Sequence, residues 1–137
     1  MYRFGLLQPD DPRMTDFYHT LVSKISIKVG KGGVARYEND DYQRVSPDLP
    51  GNPWFVCLLW LTQYKIQKAK SIDELSECVK DLEWVTGLSK SSILSEQINP
   101  YNGAQISAMP LVWSHAEFVH TMIEYDKKYE YLSNHAK

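Results

Sequence analysis

The chain has few cysteines and no long apolar segment. Its two thiols, Cys57 and Cys78, form no CxxC motif, so a disulfide-rich scaffold is excluded and buried free thiols in a reducing compartment are expected. The longest apolar run, residues 54–61, has eight residues, whereas a membrane-spanning helix needs roughly 20. Residues 1–9 lack the apolar core of a signal peptide. We therefore expect a soluble, cytoplasmic protein with no membrane partner.

Charge of neither sign dominates the sequence. There are 15 lysine and arginine residues and 17 aspartate and glutamate residues, which gives a net charge of −2. Because the basic residues are scattered, we do not expect nucleic acid as a partner. Hydrophobic residues make up 43% of the chain, enough for a core, and aromatic residues make up 12%. These rings either fill that core or stack on carbohydrate, and composition leaves both interpretations open.

Metal and nucleotide motifs are also absent from the sequence. It contains no HExxH motif and no cysteine cluster. His115 and His120 are five positions apart, so on a helix they point to different faces and make poor metal partners. The glycine-rich segment 30–33 lacks the Lys-Ser/Thr pair and the helix start of a phosphate-binding loop. We therefore expect no metal and no cofactor.

Apolar spacing predicts four helices and no strand ladder. The first begins at Asp11-Pro12, where the aspartate caps free amides and the proline fits the first turn, and it ends near Gly30. The second begins at Asn52-Pro53, with the asparagine as cap, and runs to about residue 66. Because residues 54–61 are apolar on every side, the second helix must be buried nearly all round.

The third and fourth helices each begin at a capping box, in which a serine and a glutamate satisfy each other's backbone amides. The third starts at residues 71–74, and one stripe carries its apolar residues: Ile72, Leu75, Val79, Leu82 and Val85. The fourth starts at residues 114–117, frays after Asp126, and buries four apolar residues: Phe118, Val119, Met122 and Ile123. These patterns predict an all-α, layered protein. Its long connections, 30–50 and 87–113, are expected to carry function.

The second of those connections combines a carboxylate, turn residues and an aromatic ring. Glu96-Gln97 precedes Asn99-Pro100 and Asn102-Gly103, which are turn signals, and Trp113 stands at the mouth of the fourth helix. A glutamate in a loop is usually a solvated charge, and such a tryptophan usually packs between helices. The same arrangement would aim an acid group and an aromatic face at a sugar, so both interpretations remain open.

The first connection places an arginine among carboxylates and tyrosines. Arg36 has two carboxylates within four positions, Glu38 and Asp40, and either is a candidate partner for an ion pair. Tyr37 and Tyr42 either line a cleft at this connection or brace it.

Together these segments resemble glycoside hydrolase family 15, the group of glucoamylases, glucodextranases and trehalases. Five stretches carry the resemblance: Arg36-Tyr37, Asp40-Asp41-Tyr42, Gly51-Asn52-Pro53-Trp54-Phe55, Leu94 to Gly103, and Trp113 to Phe118. The resemblance extends over about residues 5 to 131. It implies an α/α toroid, a double ring of inner and outer helices. Residues 1–137 would form the C-terminal part of such a catalytic domain.

The resemblance also implies roles for individual residues. A glutamate at the position of Glu96 is the general base in that family, and an arginine at the position of Arg36 hydrogen-bonds sugar hydroxyls around the cleavage point. Tyr37, Asp40 and Trp113 are implied to contact the substrate. In an inverting enzyme the base holds a water, and the two carboxyl groups stand roughly 6.5–9.5 Å apart to make room for it.

The function implied is that of an inverting, exo-acting α-glucosidase that releases glucose from the non-reducing ends of an α-glucan or α-glucoside. The linkage (α-1,4, α-1,6 or that of trehalose) stays open. The family's general acid lies upstream of these segments, and no residue before Arg36 matches it. The chain alone is therefore expected to lack activity. The alternative is a non-catalytic helical module that binds sugar or another protein.

The apolar second helix predicts that the chain needs a partner to cover it. Only three other predicted helices are available to cover it, so we expect apolar surface to be exposed. Such a chain would pair with itself, require a missing N-terminal part of the same domain, or be marginally folded.

Overall fold

The computed structural model describes residues 5–135 and is mostly helical. Its elements follow in chain order: α1 (Pro12–Ile25), α2 (Phe55–Lys68), α3 (Ile72–Ser76), α4 (Val79–Leu88), β1 (Gln97–Ile98), β2 (Gln105–Ile106) and α5 (Val112–His135). The prediction of an all-α protein is confirmed. The expectation that residues 1–9 hold no signal peptide concerns residues 1–4 in part, and these lie outside the described residues. Both ends of the predicted unit of residues 1–137 also lie outside them.

Helix α1 begins as predicted and ends early. The Asp11 side chain caps it by accepting a hydrogen bond from a backbone N–H of the first turn. The helix ends at Ile25, not near Gly30. The chain becomes extended there because Ser26 forms an antiparallel bridge with Val34. This bridge folds the first long connection back against the end of α1.

Helix α2 is covered on all sides, as its apolar sequence predicts. None of its residues is exposed, and Phe55 and Leu59 are fully buried. The predicted cap is wrong, because Trp54 occupies the cap position while Asn52 is buried and bonded elsewhere. The expectation that α2 leaves apolar surface exposed is also wrong, since α4, α5 and the long connections cover it.

The third predicted helix is two helices. Ser71 caps α3 by accepting a hydrogen bond from the N–H of Glu74 (3.1 Å), and the Glu74 carboxylate accepts one from the N–H of Lys70 (2.8 Å). The capping box therefore forms, with its second bond displaced by one residue. The break at residues 77–78 lets Leu75 pack with the ends of α2 and α5 while α4 packs in the main core.

A short hairpin precedes α5. Strands β1 and β2 pair antiparallel, with Gln97 opposite Ile106. Gln97 also bridges to Trp54 at the start of α2. Strands of two residues leave no alternating pattern in a sequence, so the sequence predicts only a loop here. The hairpin fixes the segment that carries Glu96 against α2.

Helix α5 departs furthest from the prediction. It begins at Val112, not Ser114, and it continues to His135 instead of fraying after Asp126. The predicted capping box fails because the Ser114 hydroxyl donates to the carbonyl of Ser95 (2.8 Å). Its buried residues are mostly polar: Ser114, Glu117, Thr121 and Leu132. Of the four apolar residues predicted to be buried, Phe118 packs partly against the core, and the other three are exposed: Val119, Met122 and Ile123.

Two apolar clusters form the core. The larger joins the end of α1, α2 and α4 to the connections around residues 27–35 and 94–98. The smaller joins the end of α2 and α3 to the C-terminal half of α5. No helix within residues 5–135 is long and apolar enough to cross a membrane. The double ring of helices and self-association remain predictions.

Candidate active site

The buried carboxylate of Asp40 holds Arg36. The Nε and Nη2 atoms of Arg36 donate to the two carboxylate oxygens of Asp40, at 3.1 and 2.9 Å. Asp40 is 1% exposed, and it also accepts a hydrogen bond from the N–H of Tyr42 (3.2 Å). Bonding to Asp40 raises the pKa of Arg36 above its usual value. Glu38, the other candidate partner, pairs with Lys24 instead. The two-point pairing fixes the plane of the guanidinium, and within residues 5–135 its Nη1 nitrogen donates no hydrogen bond.

Three aromatic rings surround this guanidinium. The Arg36 Cζ atom lies 4.3 Å from the Trp54 ring centroid, 4.8 Å from that of Tyr37 and 5.8 Å from that of Tyr42. Trp54 is buried, as predicted for a core residue, whereas both tyrosines are about half exposed. The Tyr37 hydroxyl also accepts a hydrogen bond from Arg36 (3.2 Å). The guanidinium therefore lies between the buried ring of Trp54 and the accessible rings of Tyr37 and Tyr42. This arrangement suits a ligand that has both hydroxyls and apolar faces.

Glu96 lies in an extended segment that is held on both sides. Its N–H donates to the carbonyl of Ala108 (2.9 Å), and its carbonyl accepts from the N–H of Phe55 (3.4 Å). The Ser107 hydroxyl donates a short hydrogen bond to Oε2 of the carboxylate. The side chain is half-buried. Within residues 5–135 the second oxygen, Oε1, accepts no hydrogen bond, so it is the atom available to hold a water.

Arg36 and Glu96 belong to one surface. The Ser107 hydroxyl lies 3.4 Å from the hydroxyl of Tyr42, and the Tyr42 ring packs beside Arg36 and Trp54. A continuous series of contacts therefore runs from the carboxylate of Glu96 to the guanidinium. Four of the predicted site residues come together in this way: Arg36, Tyr37, Asp40 and Glu96.

The buried side-chain amides of Asn52 and Gln97 link the first long connection to the hairpin. The Asn52 side chain donates to Oε1 of Gln97 (2.7 Å) and to the carbonyl of Gln43 (2.8 Å), and it accepts from the N–H of Val45 (3.0 Å). Asn52 and Gln97 are both almost fully buried. These bonds explain why Asn52 does not cap α2. They also hold the first long connection against the hairpin that positions Glu96.

The same two connections touch directly at a glycine. The N–H of Lys31 donates to the carbonyl of Pro100 (2.6 Å). Gly30 has a φ of +55°, and a Cβ there would lie 2.2 Å from the same carbonyl oxygen. A side chain at position 30 is thus opposed both by the backbone conformation and by the lack of space.

Trp113 stands apart from the other predicted residues. Its ring is about half exposed and packs edge-on against Trp60, with centroids 5.4 Å apart. Its indole N–H donates to Glu117 (3.3 Å). The next residue, Ser114, is bonded to Ser95, so Trp113 lies near the Glu96 segment, and within residues 5–135 no hydrogen bond joins it to Glu96. The structure therefore shows that Trp113 packs against Trp60, and contact of Trp113 with a substrate stays a prediction.

Other reactive side chains near the site are not available for chemistry. Burial raises the pKa of Cys57 to about 12, so its thiol stays protonated and is a poor nucleophile. His115 accepts from the N–H of Leu94 (3.2 Å) and contacts the carbonyl of Leu111 (2.8 Å), which gives it a structural role. Within residues 5–135, no group of three histidine, cysteine, aspartate or glutamate residues is placed to hold a metal ion.

Sequence reasoning missed one residue of this site. Ser107 lies 11 positions after Glu96 and has a positive φ of 66°. No local motif marks it, because only the hairpin brings it to the carboxylate. The sequence marks Tyr42 as a candidate, but its contact with Ser107 joins residues 65 positions apart, and no local pattern in the sequence predicts it.

The structure thus brings a carboxylate held by a serine onto one surface with a guanidinium and two tyrosines. The sequence matches Glycosyl hydrolases family 15 over residues 13–123, and the chain belongs to that family. It is similar to the "Uncharacterized glycosyl hydrolase MJ1610" of Methanocaldococcus jannaschii, with 34% identity over 135 residues. The match covers 92% of this chain and 21% of that relative, so the chain spans about a fifth of the relative's length. No solved structure matches the chain significantly.

Proposed function

We propose that this chain is the C-terminal part of the catalytic domain of an inverting, exo-acting α-glucosidase. Its substrate is an α-glucan or α-glucoside, from whose non-reducing end it helps to release glucose in the cytoplasm. The observation that carries this proposal is the continuous contact from Glu96 through Ser107 and Tyr42 to Arg36. Membership of family 15 supports it.

In this proposal Glu96 is the general base. Its Oε1 atom holds the attacking water, while Ser107 fixes Oε2 so that the carboxylate keeps one orientation. The water attacks the anomeric carbon from the face opposite the leaving group, and Glu96 takes up its proton. A base that is positioned in advance loses less freedom in the transition state.

Arg36 holds the sugar at the point of cleavage. Asp40 sets its orientation and Nη1 remains for a sugar hydroxyl. Tyr37 and Tyr42 offer their exposed faces to the sugar ring. Trp113, at the start of α5, contributes an aromatic face at the edge of the same site. No metal or cofactor takes part in this mechanism.

The general acid is assigned to a missing N-terminal part of the domain. Hydrolysis with inversion needs an acid that protonates the leaving oxygen as well as a base. Asp40, the second carboxylate of the site, is buried and ion-paired with Arg36, so it is a poor candidate for that acid. A chain that spans about a fifth of its relative leaves ample sequence for another acid.

The proposal is tested on a complete polypeptide that contains these residues. We expect it to release glucose from maltose, isomaltose or trehalose, and the first anomer to appear in the NMR spectrum to be β-glucose. The chain of 137 residues alone should release none. Formation of α-glucose first would reject the inverting mechanism, and glucose release by the short chain would reject the assignment of the acid to another segment.

One observation favours a second candidate, a non-catalytic module that binds sugar. Arg36 and its two tyrosines offer a cation and two exposed aromatic faces within this chain, whereas Asp40, the second carboxylate beside them, is buried and ion-paired with Arg36. A module of this kind would bind maltose without turnover even in the complete polypeptide. Calorimetric binding of maltose together with the absence of glucose release would support it.

A further inference from the structure

Glu117 is a buried carboxylate that the proposed mechanism does not use. It is 8% exposed and lies one helical turn after Trp113 on α5. Burying a carboxylate is costly for the fold unless hydrogen bonds compensate for the lost water, and an apolar side chain of similar size would pack there without that cost. The groups that Glu117 contacts therefore indicate what the carboxylate does.

The interior of the protein holds one oxygen of this carboxylate. The side-chain amide of Gln63, which is fully buried on α2, donates to Oε2 of Glu117 at 2.9 Å. The same amide donates to the Thr121 hydroxyl (2.9 Å), and that hydroxyl donates to the backbone carbonyl of Glu117 (2.7 Å). On the outer side, Nδ1 of His120 lies 3.9 Å from Oε2, which is too far for a hydrogen bond. Glu117 is therefore fixed to the packed interface of α2 and α5.

The other oxygen of the carboxylate reaches the indole of Trp113. Oε1 accepts a hydrogen bond from Nε1 of Trp113 at 3.3 Å, because residues four positions apart are neighbours on a helix. The Trp113 ring also packs edge-on against Trp60 of α2, with an angle of 64° between the two ring planes. One polar contact and one aromatic contact thus restrict the rotation of the Trp113 ring, although the residue is 47% exposed.

Stability alone does not account for the bond between Glu117 and Trp113. The indole N–H of a half-exposed residue can donate to water, so the fold gains little by burying a carboxylate to accept from it. A ligand gains more, because a ring that is already held in one orientation loses little freedom when the ligand stacks on it. The bond therefore serves the exposed face of the Trp113 ring.

We propose that Glu117 is a positioning residue, which holds the ring of Trp113 in the orientation on which a sugar stacks. The inference rests on the proposed function, because it takes Trp113 to be part of the sugar site. Glu117 itself touches neither the sugar nor the attacking water. Its loss should therefore weaken the binding of the sugar and leave the rate of bond cleavage unchanged, whereas the loss of Glu96 acts on that rate.

The first measurement concerns the ring and requires no substrate. In the proton–nitrogen correlation NMR spectrum of the 137-residue chain, the indole signal of Trp113 is assigned by its absence in Trp113→Phe. Glu117→Leu fills the space without an acceptor, so it should shift this signal and accelerate the exchange of its proton with water. Glu117→Gln retains an oxygen acceptor and should preserve the signal. Glu124→Leu, the same change at another partly buried glutamate of α5, is the matched control.

The second measurement is the kinetics of a complete polypeptide that contains these residues. On whichever of maltose, isomaltose and trehalose the unmodified polypeptide hydrolyses best, Glu117→Leu should raise KM about 3- to 10-fold and change kcat by less than about twofold. Trp113→Phe removes the same hydrogen bond from its other partner. In the Trp113→Phe background, Glu117→Leu should therefore add little to KM. Circular dichroism melts give the folded fraction, which scales the apparent kcat and not KM.

The outcomes separate this inference from the proposed function. A rise in KM that appears in Glu117→Leu, is absent in Glu117→Gln and vanishes in the Trp113→Phe background supports the inference. It is overturned if the unmodified polypeptide is active and Glu117→Leu has the KM of Glu124→Leu, or if the indole signal of Trp113 does not respond to Glu117→Leu. Should Glu117→Leu fail to fold, an unchanged KM in Trp113→Phe overturns it equally. A complete polypeptide that neither hydrolyses nor binds these sugars rejects the proposed function, and the inference with it.

Discussion

Arg36 and Glu96 lie on the same surface but are held in different ways. Arg36 is fixed by two bonds to a buried aspartate and by packing against Trp54, all contributed by residues within 18 positions of it. Glu96 is fixed by a hairpin backbone and by one hydroxyl, that of Ser107. Arg36 is thus held by several groups that are close in sequence, whereas within residues 5–135 one side-chain hydrogen bond holds the carboxylate of Glu96.

This difference matches the work that each side is proposed to do. A group that binds sugar hydroxyls must keep one geometry in every step, and a bidentate ion pair supplies it. A base must accept a proton, so a surrounding of many donors would oppose its task by stabilising the ionised form. Variants at Glu96 should therefore affect proton transfer, and variants at Arg36 and Asp40 should affect geometry and stability.

Substitution of Glu96 should have the largest effect. Glu96→Gln keeps the shape of the side chain and removes the proton acceptor, so turnover in the complete polypeptide should fall ~10²–10⁴-fold. The thermal stability of the variant should be nearly unchanged, because Glu96 is half-buried and bonded once within the described structure. Steady-state rates on maltose test the first statement. Unchanged turnover would remove Glu96 from the mechanism.

Substitution of Asp40 should mainly affect stability. Asp40→Ala leaves Arg36 and the N–H of Tyr42 without their acceptor, and we expect the free energy of unfolding to fall by about 2–3 kcal/mol. Asp41→Ala alters the exposed neighbour and should stay within about 0.5 kcal/mol of the unmodified chain. Urea unfolding of both variants is the measurement. Equal losses at positions 40 and 41 would contradict the bracing role of Asp40.

Arg36→Lys preserves the charge and removes the planar fork. The ion pair with Asp40 becomes a single contact, and a hydrogen bond of Nη1 to the sugar is lost. With charged hydrogen bonds contributing about 1.5–3 kcal/mol each, kcat/KM should fall about 10- to 100-fold. Lys24→Arg, which alters an exposed cation outside the site, is the control. If Arg36→Lys retains full kcat/KM, the arginine is structural only.

Ser107→Gly should have the smallest effect. It removes the hydroxyl that holds Glu96, and glycine accepts the positive φ at this position without strain. Because a water can replace the hydroxyl, we expect a drop of about 3- to 10-fold in kcat. Ser133→Gly, in an exposed part of α5, controls for a general effect of glycine. A full loss of turnover in Ser107→Gly would mean that the serine does more than orient the base.

The parts of the fold that the sequence predicts are those governed by short-range rules. The aspartate cap of α1, the serine cap of α3 and the burial of α2 follow from residues a few positions apart. The ion pair of Arg36 with Asp40 is one of two alternatives that the sequence leaves open, because the partners are four positions apart. The roles in the site come from resemblance to family 15, and the structure shows that four of those five residues converge.

The parts that the sequence does not predict depend on distant partners. For α5, the rule that apolar residues face inward fails because Gln63 pairs with the polar face of that helix. Ser107 reaches Glu96 only through the hairpin, and Asn52 leaves its cap position because Gln97 binds it. In each case a hydrogen bond across more than ten positions overrides a local preference.

The contact of Gly30 with Pro100 also has a consequence for the order in which the site is assembled. About 70 residues must be brought into a closed loop before Lys31 can bond to that carbonyl, and the entropy of this closure has to be met by the packing of the helices in between. We therefore expect the site to form only in chains whose helices have assembled. If a sugar touches both connections, as the proposed function requires, it binds this closed state alone, and occupancy of the site should stabilise the whole helical frame rather than one loop.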